Sequence, residues 1–221
     1  MPLFTVAIWF IAYDNYLAAV AGFRAECRNR ELAFNDTLTG LPNRAQLLDR
    51  LQRMCLSLDI ERLHASEEHF GFAVLCLDQD GFKRINDTHG HSAGDAVLEE
   101  VGRRLKQVVR AQDSVRRVGG DEFVILLPQT DRVRADTVAR RAIASLSEPI
   151  DLNGVVQVQI GVSVGGVIAP EQERVANKLL LHADNALYEA KRAGKGMYFV
   201  HPGRAATPNT VRGSVNSARR G

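Results

Sequence analysis

The sequence predicts an α+β fold in which helices pack on a central, mostly antiparallel sheet. Short apolar runs of strand length alternate with segments of helical periodicity, and glycine-containing turns join some of the runs as hairpins. Of the 221 residues, 45% are hydrophobic and 24% are charged, which is typical of a folded domain. The formal net charge of +2 does not indicate nucleic-acid binding, so an anion site would need local placement of charge.

The periodicity predicts each element in turn. Helices are predicted at 24–35, 43–58, 93–109, 135–146 and 178–192. Strands are predicted at 72–77, 115–118, 122–127, 155–160, 163–168 and 197–200. Turns are predicted at Gly119-Gly120, Asn153-Gly154 and Gly161. The polar stretch 83–95 is interpreted as a surface loop, where α/β proteins often place ligand contacts.

The N-terminal residues 3–23 form an apolar segment interrupted mainly by Asp14 and Asn15. The segment is long enough to span a bilayer, although a central aspartate costs roughly 2.5–3.5 kcal/mol on insertion. A buried linker or dimerisation helix fits the same pattern, and both interpretations stay open. We therefore divide the chain into an apolar helix and linker at 1–31, a folded domain at 32–201 and a disordered tail at 202–221.

The three cysteines, Cys27, Cys55 and Cys76, lie far apart and show no metal-binding or redox-motif spacing. Such a set fits a reducing cytosol, and Cys76, inside an apolar run, is predicted to be a buried thiol. The folded domain is therefore expected in the cytoplasm. If residues 3–23 span a membrane, the domain is tethered to the inner face of the cell membrane.

Two acidic clusters border predicted strands. Asp78 and Asp80 end one apolar run, and Asp121 and Glu122 follow the glycine pair 119–120 at a predicted hairpin turn. If the two strands are neighbours, Asp78 and Asp121 converge, and their repulsion calls for a cation. Such oxygen ligands suit Mg²⁺ or Mn²⁺, with phosphates completing the shell. Each acid alone is better explained as a solvated turn residue, whereas the two clusters together favour a metal site.

Polar residues in two places are candidates for nucleotide contacts. An aspartate accepts two N–H bonds, as the guanine N1 and N2 donors require, and an asparagine offers both a donor and an acceptor. Asn86 and Asp95 are therefore candidate guanine ligands. Lys191 and Lys195 can reach phosphates, although a lone surface lysine is usually only solvated.

Four separated motifs, in this order, resemble the GGDEF family of diguanylate cyclases over about residues 32–200. They are DTLTGLPNR at 36–44, LDQDGFKRIND at 77–87 continuing to Gly90-His91 and Gly94-Asp95, RVGGDEF at 117–123, and ADNALYEAK at 183–191. The four motifs in order are far more specific than any one alone. The resemblance implies a palm-like fold shared with nucleotide cyclases and polymerases. It also implies an enzyme that condenses two GTP molecules into cyclic di-GMP and two pyrophosphates.

The resemblance further implies a role for each matched residue. Asp78 and Asp121 would bind metal through carboxylates and Gln79 through its backbone carbonyl, with two Mg²⁺ (or Mn²⁺) ions per active site. Asp121 would also accept the proton of the 3′-hydroxyl, and Glu122 is the neighbouring signature acid. The substrate contacts would be Asn86 and Asp95 at guanine, His91 lining the site, and Lys83 and Lys191 near the phosphates. From the residues alone, Lys195 is a further candidate phosphate contact. Gly119 and Gly120 would let a ligand approach the backbone closely, although a plain hairpin turn explains the glycine pair equally well.

Arg110 and Asp113 precede the signature at the spacing of the family's inhibitory RxxD site, where they would bind the product cyclic di-GMP. A surface pair of little energetic value is the alternative. The sequence departs from the family at Gln79, where Ile or Val is common, and at Lys195-Gly196, where Arg-Asn is common. Lysine keeps the charge but loses the bidentate fork of arginine, so we expect somewhat weaker triphosphate binding.

The catalytic interpretation requires a homodimer, because each domain would hold one GTP and each GTP would attack the α-phosphorus of the other. The expected partners are thus GTP, cyclic di-GMP as product and inhibitor, and a second copy of the chain, with no nucleic acid. Two alternatives are a module that binds GTP or cyclic di-GMP without catalysis, and a cyclase with another base preference. The intact signature argues against the first alternative, and Asp95 against the second.

Overall fold

The computed structural model describes residues 13, 16, 17, 20, 34–63, 71–152, 154 and 156–202. The helices are α1 (Arg44–Leu63), α2 (Phe82–His89), α3 (His91–Val108), α4 (Arg132–Ser147) and α5 (Ala176–Arg192). The strands are β1 (Phe72–Asp80), β2 (Ser114–Gly119), β3 (Glu122–Leu127), β4 (Ile150–Leu152), β5 (Val156–Val158), β6 (Gly161–Ala169) and β7 (Tyr198–Val200).

The main sheet has five strands in the order β2-β3-β1-β6-β7, and β4 pairs with β5 in a separate two-stranded sheet. Within the main sheet only the β6–β7 pair is parallel. The predicted α+β fold with a mostly antiparallel central sheet is therefore confirmed.

The main sheet separates two apolar layers, and the alternation of β1 decides which side chains enter each layer. Leu75 and Leu77 enter the layer that α3 and α4 complete. Val74 and Cys76 enter the layer that α1 and α5 complete, and Cys76 is a buried free thiol, as predicted. Continued to the end of the strand, the same alternation directs Asp78 toward the α1–α5 side.

Gly165 brings α5 directly onto β6. A Cβ atom at this position would clash with the backbone of Ala183 and Leu187, so a larger residue would push the helix away from the sheet. The close approach places the last turn of α5, with Lys191, beside the end of β1. The sheet and α5 together therefore position part of the candidate site.

The predicted loop at 83–95 is wrong, because this segment forms α2 and the start of α3, with a break at Gly90 (φ 83°). The α2 helix has only eight residues, too few for a helical repeat to stand out among polar side chains, although Ile85 is buried and Phe82 packs against the core. Local polarity therefore concealed a helix that tertiary packing stabilises.

The predicted turn at Gly161 is also wrong, since this residue begins β6. Its missing side chain suits a position where a Cβ would lie 3.3 Å from Asp80 Oδ2. The strand predicted at 155–160 is shorter than expected and pairs with β4, which the sequence analysis missed. Strands of three residues are too short to show alternation.

The predicted segments 3–23, 24–35 and 202–221 lie almost wholly outside the described residues. Of the helices that the structure describes, none has the length and apolar character needed to cross a membrane. Membrane attachment through residues 3–23 stays a prediction.

Candidate active site

The end of β1 and the β2–β3 hairpin bring three predicted site acids together. The two strands β1 and β3 are antiparallel neighbours, and Asp78 lies directly opposite Glu122 in their register. Like charges in directly opposed positions destabilise a sheet. Burial raises the pKa of Asp121, and the nearby Asp78 carboxylate raises it further. Burial also raises the pKa of Glu122, with further contributions from Asp78, Asp184 and Asp121.

Lys191 neutralises part of this charge. Its Nζ lies 2.7 Å from Asp78 Oδ1, and 35% of the lysine side chain is exposed. Lys191 is predicted to contact the triphosphate, whereas in the structure it pairs with Asp78, a predicted metal ligand. A metal ion and the ammonium group would compete for this carboxylate, and a displaced Lys191 could then reach a phosphate.

The three acids suit a cation that takes only some of its ligands from the protein and the rest from water or substrate. Within the described ranges, no three His, Cys, Asp or Glu side chains form a preformed metal cluster. Mg²⁺ usually retains several waters and is bound by one or two carboxylates together with substrate phosphates. The crowded carboxylates and the ammonium group on Asp78 indicate a place where a cation is favoured.

Arg117 braces the hairpin turn that carries Asp121. Its Nε and Nη2 donate to the Gly120 carbonyl at 3.0 and 2.9 Å, and its Nη1 donates to Asp36 Oδ1 at 2.9 Å. Gly120 has a φ of 52°, in the left-handed region that favours glycine. Burial alone would raise the pKa of Asp36, but hydrogen bonds from Thr39 and the Arg117 guanidinium lower it overall.

Arg117 and Asp36 were not among the predicted site residues, although both lie within the four motifs. The available signal was the position of Arg117 two residues before Gly119, the first residue of the glycine pair. Their contact could not be expected from spacing, because the two residues are 81 positions apart along the chain.

Asp80 anchors the loop that follows α5. Its carboxylate accepts hydrogen bonds from Ser163 Oγ at 2.9 Å and from the Gly196 backbone N–H at 3.0 Å. The intervening Lys195 adopts a left-handed φ of 64°. Through these hydrogen bonds, Asp80 holds the loop that carries Lys195 against the end of β1.

The predicted guanine ligands lie on the successive helices α2 and α3. Asn86 packs against Gly94, where a Cβ atom would clash with the Asn86 amide. Asp95 is the next residue, and its side chain is exposed, as are those of Lys83 and His91 at the starts of the two helices. Gly94 therefore allows the amide of Asn86 to lie beside the backbone that carries Asp95.

The side chain of Gln79 is buried at the end of β1. The residue is 3% exposed, and both polar atoms of its amide are buried with no hydrogen-bond partner among the described residues. An unpaired buried amide costs about 1–3 kcal/mol. The expected role of Gln79 as a metal ligand concerns its backbone carbonyl and does not use this side chain.

The two RxxD residues differ in accessibility. Arg110 is exposed, whereas the Asp113 side chain is fully buried and lies 2.7 Å from Nη2 of Arg134. Asp113 Oδ2 also accepts the Arg110 backbone N–H at 2.9 Å. Arg134 was not among the predicted site residues, because nothing in the local sequence pattern links α4 to this turn.

Comparison with known proteins identifies the family. The family described as "Diguanylate cyclase, GGDEF domain" matches residues 33–197. The chain therefore belongs to the GGDEF domain family, as the four motifs predicted.

The chain is 39% identical over 173 residues to the bifunctional diguanylate cyclase/cyclic di-GMP phosphodiesterase MucR of Pseudomonas aeruginosa, covering 77% of this chain and 24% of MucR. It is 41% identical over 165 residues to diguanylate cyclase TpbB of the same species, covering 74% of this chain and 36% of TpbB. It is 34% identical over 177 residues to the cyclic di-GMP phosphodiesterase PdeR of Escherichia coli, covering 80% of this chain and 25% of PdeR. The chain thus spans well under half the length of each of these relatives.

Solved structures share the fold. The GGDEF domain of TpbB from P. aeruginosa matches with a TM-score of 0.70 at 38% identity, covering 76% of this chain and 94% of that one. The coiled coil and GGDEF domain of DgcB from Caulobacter crescentus, solved with c-di-GMP, match with a TM-score of 0.73 at 26% identity. That match covers 84% of this chain and 95% of the DgcB chain.

Proposed function

We propose that this chain is a diguanylate cyclase, which condenses two GTP molecules into cyclic di-GMP and two pyrophosphates. The observation that carries the proposal is the group of acids Asp78, Asp121 and Glu122, which the fold crowds together beside Lys191. Crowded carboxylates with raised pKa values are a common property of catalytic sites. Relatives named as diguanylate cyclases support the same reaction.

In the proposed site, Asn86 and Asp95 bind guanine, and His91 lines the substrate pocket. Asp121 accepts the proton of the attacking 3′-hydroxyl, a role that its raised pKa suits, and Glu122 is its neighbouring acid. Lys191 leaves Asp78 to bind the triphosphate. The remaining substrate contacts are Lys83, Lys195, Gly119 and Gly120.

The proposed cofactor is Mg²⁺ or Mn²⁺, two ions per site, held by Asp78, Asp121 and the Gln79 carbonyl. When bound, such ions neutralise phosphate charge and stabilise the attacking and leaving oxygens. The contribution of the protein is to position the two nucleotides and to hold the hairpin turn in place. Because each domain would bind one GTP, we propose that catalysis takes place between two copies of the chain.

We also propose product inhibition at Arg110 and Asp113. Cyclic di-GMP would bind the exposed Arg110 guanidinium through its phosphates. Asp113 would hold the turn that presents Arg110, a role supported by its hydrogen bond with the Arg110 backbone. Half-inhibition of Arg110→Ala should therefore require more cyclic di-GMP than half-inhibition of the parent.

The second candidate function is a module that binds GTP or cyclic di-GMP without catalysis. One observation favours it: the Lys191–Asp78 ion pair already neutralises a carboxylate that catalysis would need for a metal ion. Incubation of the purified chain with GTP and Mg²⁺, followed by chromatography for cyclic di-GMP, distinguishes the two functions. Product formation supports the cyclase. A folded, dimeric, GTP-binding chain that forms no product after removal of bound cyclic di-GMP supports the binding module.

A further inference from the structure

Arg116, on β2, is a buried arginine that forms no salt bridge among the described residues, although the charge of Asp49 acts on it from a distance. The residue is 4% exposed, and its Nη1 donates to the neutral Gln46 Oε1 at 2.8 Å. Its Nε is also buried and finds no acceptor in the described part of the chain. Burial, and then the charge of Arg50, lower the pKa of the Arg116 guanidinium to about 10. A buried cation without a charged partner is costly, and this one suggests an anion that the described residues do not supply.

Arg116 lines an open pocket of about 460 Å³ between α1 and β2, which we call the Arg116 pocket. Its lining residues are Phe34, Gln46, Asp49, Arg50, Arg53 and Arg116. Three guanidinium groups thus accompany one carboxylate. That carboxylate, on Asp49, already pairs with Arg53 at 2.9 Å, so the pocket keeps a positive charge.

We propose that the Arg116 pocket binds a phosphate-bearing anion through Arg50, Arg53 and Arg116. Guanidinium groups bind phosphate oxygens through paired N–H donors, and such an anion would supply the acceptor that Arg116 lacks. The phosphate could belong to free inorganic phosphate or to a nucleotide, since the 37% exposed Phe34 offers an aromatic contact at the same pocket. The lining residues include none of the proposed active-site or RxxD residues, so the inference does not depend on the proposed reaction.

Thermal unfolding of the full chain tests the proposal, with inorganic phosphate titrated against chloride at constant ionic strength. A ligand that binds only the folded state raises the Tm, so phosphate should raise the Tm of the parent. Arg50→Gln leaves the buried Arg116 in place and should weaken phosphate binding by about tenfold, roughly the contribution of one charged hydrogen bond. Arg140→Gln, at an exposed arginine of α4, is the matched control and should behave as the parent does.

Phosphate could instead bind at the active site, and Lys191→Gln tests that possibility. Loss of the phosphate effect in Lys191→Gln but not in Arg50→Gln would overturn the proposal, as would the absence of any effect in the parent. Titration with cyclic di-GMP then distinguishes a nucleotide ligand from free phosphate. Tighter binding of cyclic di-GMP than of phosphate, weakened by Arg50→Gln, would support a nucleotide ligand. Equal or weaker binding of cyclic di-GMP, with phosphate binding still weakened by Arg50→Gln, would support free phosphate.

Discussion

At the scale of single residues, the candidate site contains acids whose charge the chain does not fully balance. Asp121 and Glu122 have raised pKa values in the folded protein, so the folded state holds their protons more tightly than the unfolded state does. The resulting stability is present at low pH and is lost as the pH rises from the unfolded pKa values through the raised folded ones. The crowding of these candidate site acids therefore lowers the free energy of unfolding at neutral pH.

Asp121→Asn should stabilise the cation-free protein at pH 7, because it removes one of the repelling charges. We expect a rise in Tm of roughly 1–2 °C, since solvent screening holds such repulsion below about 1 kcal/mol. Thermal unfolding in a chelator at pH 4 to 8 would measure the effect, which should vanish at the acidic end. Asp136→Asn, on the exposed face of α4, is the control, and a lower Tm for Asp121→Asn at pH 7 would contradict the repulsion argument.

Gln79→Met should raise the free energy of unfolding by about 1–3 kcal/mol, because it replaces an unpaired buried amide with an apolar group of similar shape. Gln172 offers a matched control, since it is buried at 6% exposure but its Oε1 accepts the Ile168 N–H at 2.7 Å. Gln172→Met should therefore destabilise the protein. Urea unfolding measures both variants, and a loss of stability in Gln79→Met would show that its amide has a partner.

At the scale of elements, hydrogen bonds and ion pairs between segments distant along the chain hold the turns and loops of the candidate site in place. The β2–β3 turn depends on Arg117, which joins it to Asp36. The loop after α5 depends on Asp80 at the end of β1. The turn before β2 depends on Arg134 of α4, which pairs with Asp113. The buried position of Asp113 favours a structural role for its carboxylate.

Arg117→Lys should reduce kcat by about 10²-fold, the loss typical of a small misplacement of catalytic groups. Lysine keeps the charge but cannot donate to Gly120 and Asp36 together through a fork. Steady-state kinetics with GTP would separate this positioning effect on kcat from an effect on KM. The control is Arg140→Lys, and an unchanged kcat for Arg117→Lys would show that the brace is dispensable.

Arg134→Ala should destabilise the protein by about 3–5 kcal/mol, because it leaves the buried Asp113 carboxylate without its charged partner. The double variant with Asp113→Ala should be less destabilised than the sum of the two single variants. A double-mutant cycle by urea unfolding provides the coupling energy. Strict additivity would contradict a direct Asp113–Arg134 interaction.

At the scale of the whole molecule, the sequence predicts the sheet well because β1, β3 and β6 carry long apolar runs that are buried on both faces. It predicts α2 poorly because that short helix has few apolar positions. The sequence predicts that the candidate site acids converge, from their place at strand ends, and the structure brings them together. The Lys191–Asp78 pair was not predicted, because it depends on the approach of α5 at Gly165. Contacts set by packing between elements leave no local signal in the sequence.

The central claim is that the acids at the end of β1 and in the β2–β3 turn make this chain a diguanylate cyclase. The most direct measurement is the initial rate of cyclic di-GMP formation from GTP and Mg²⁺, after bound product has been removed. We predict product from the parent and from Asp136→Asn, and a loss of at least about 10²-fold in Asp121→Asn, as general base catalysis implies. Equal rates for Asp121→Asn and the parent, or a folded GTP-binding parent without product, would contradict the claim.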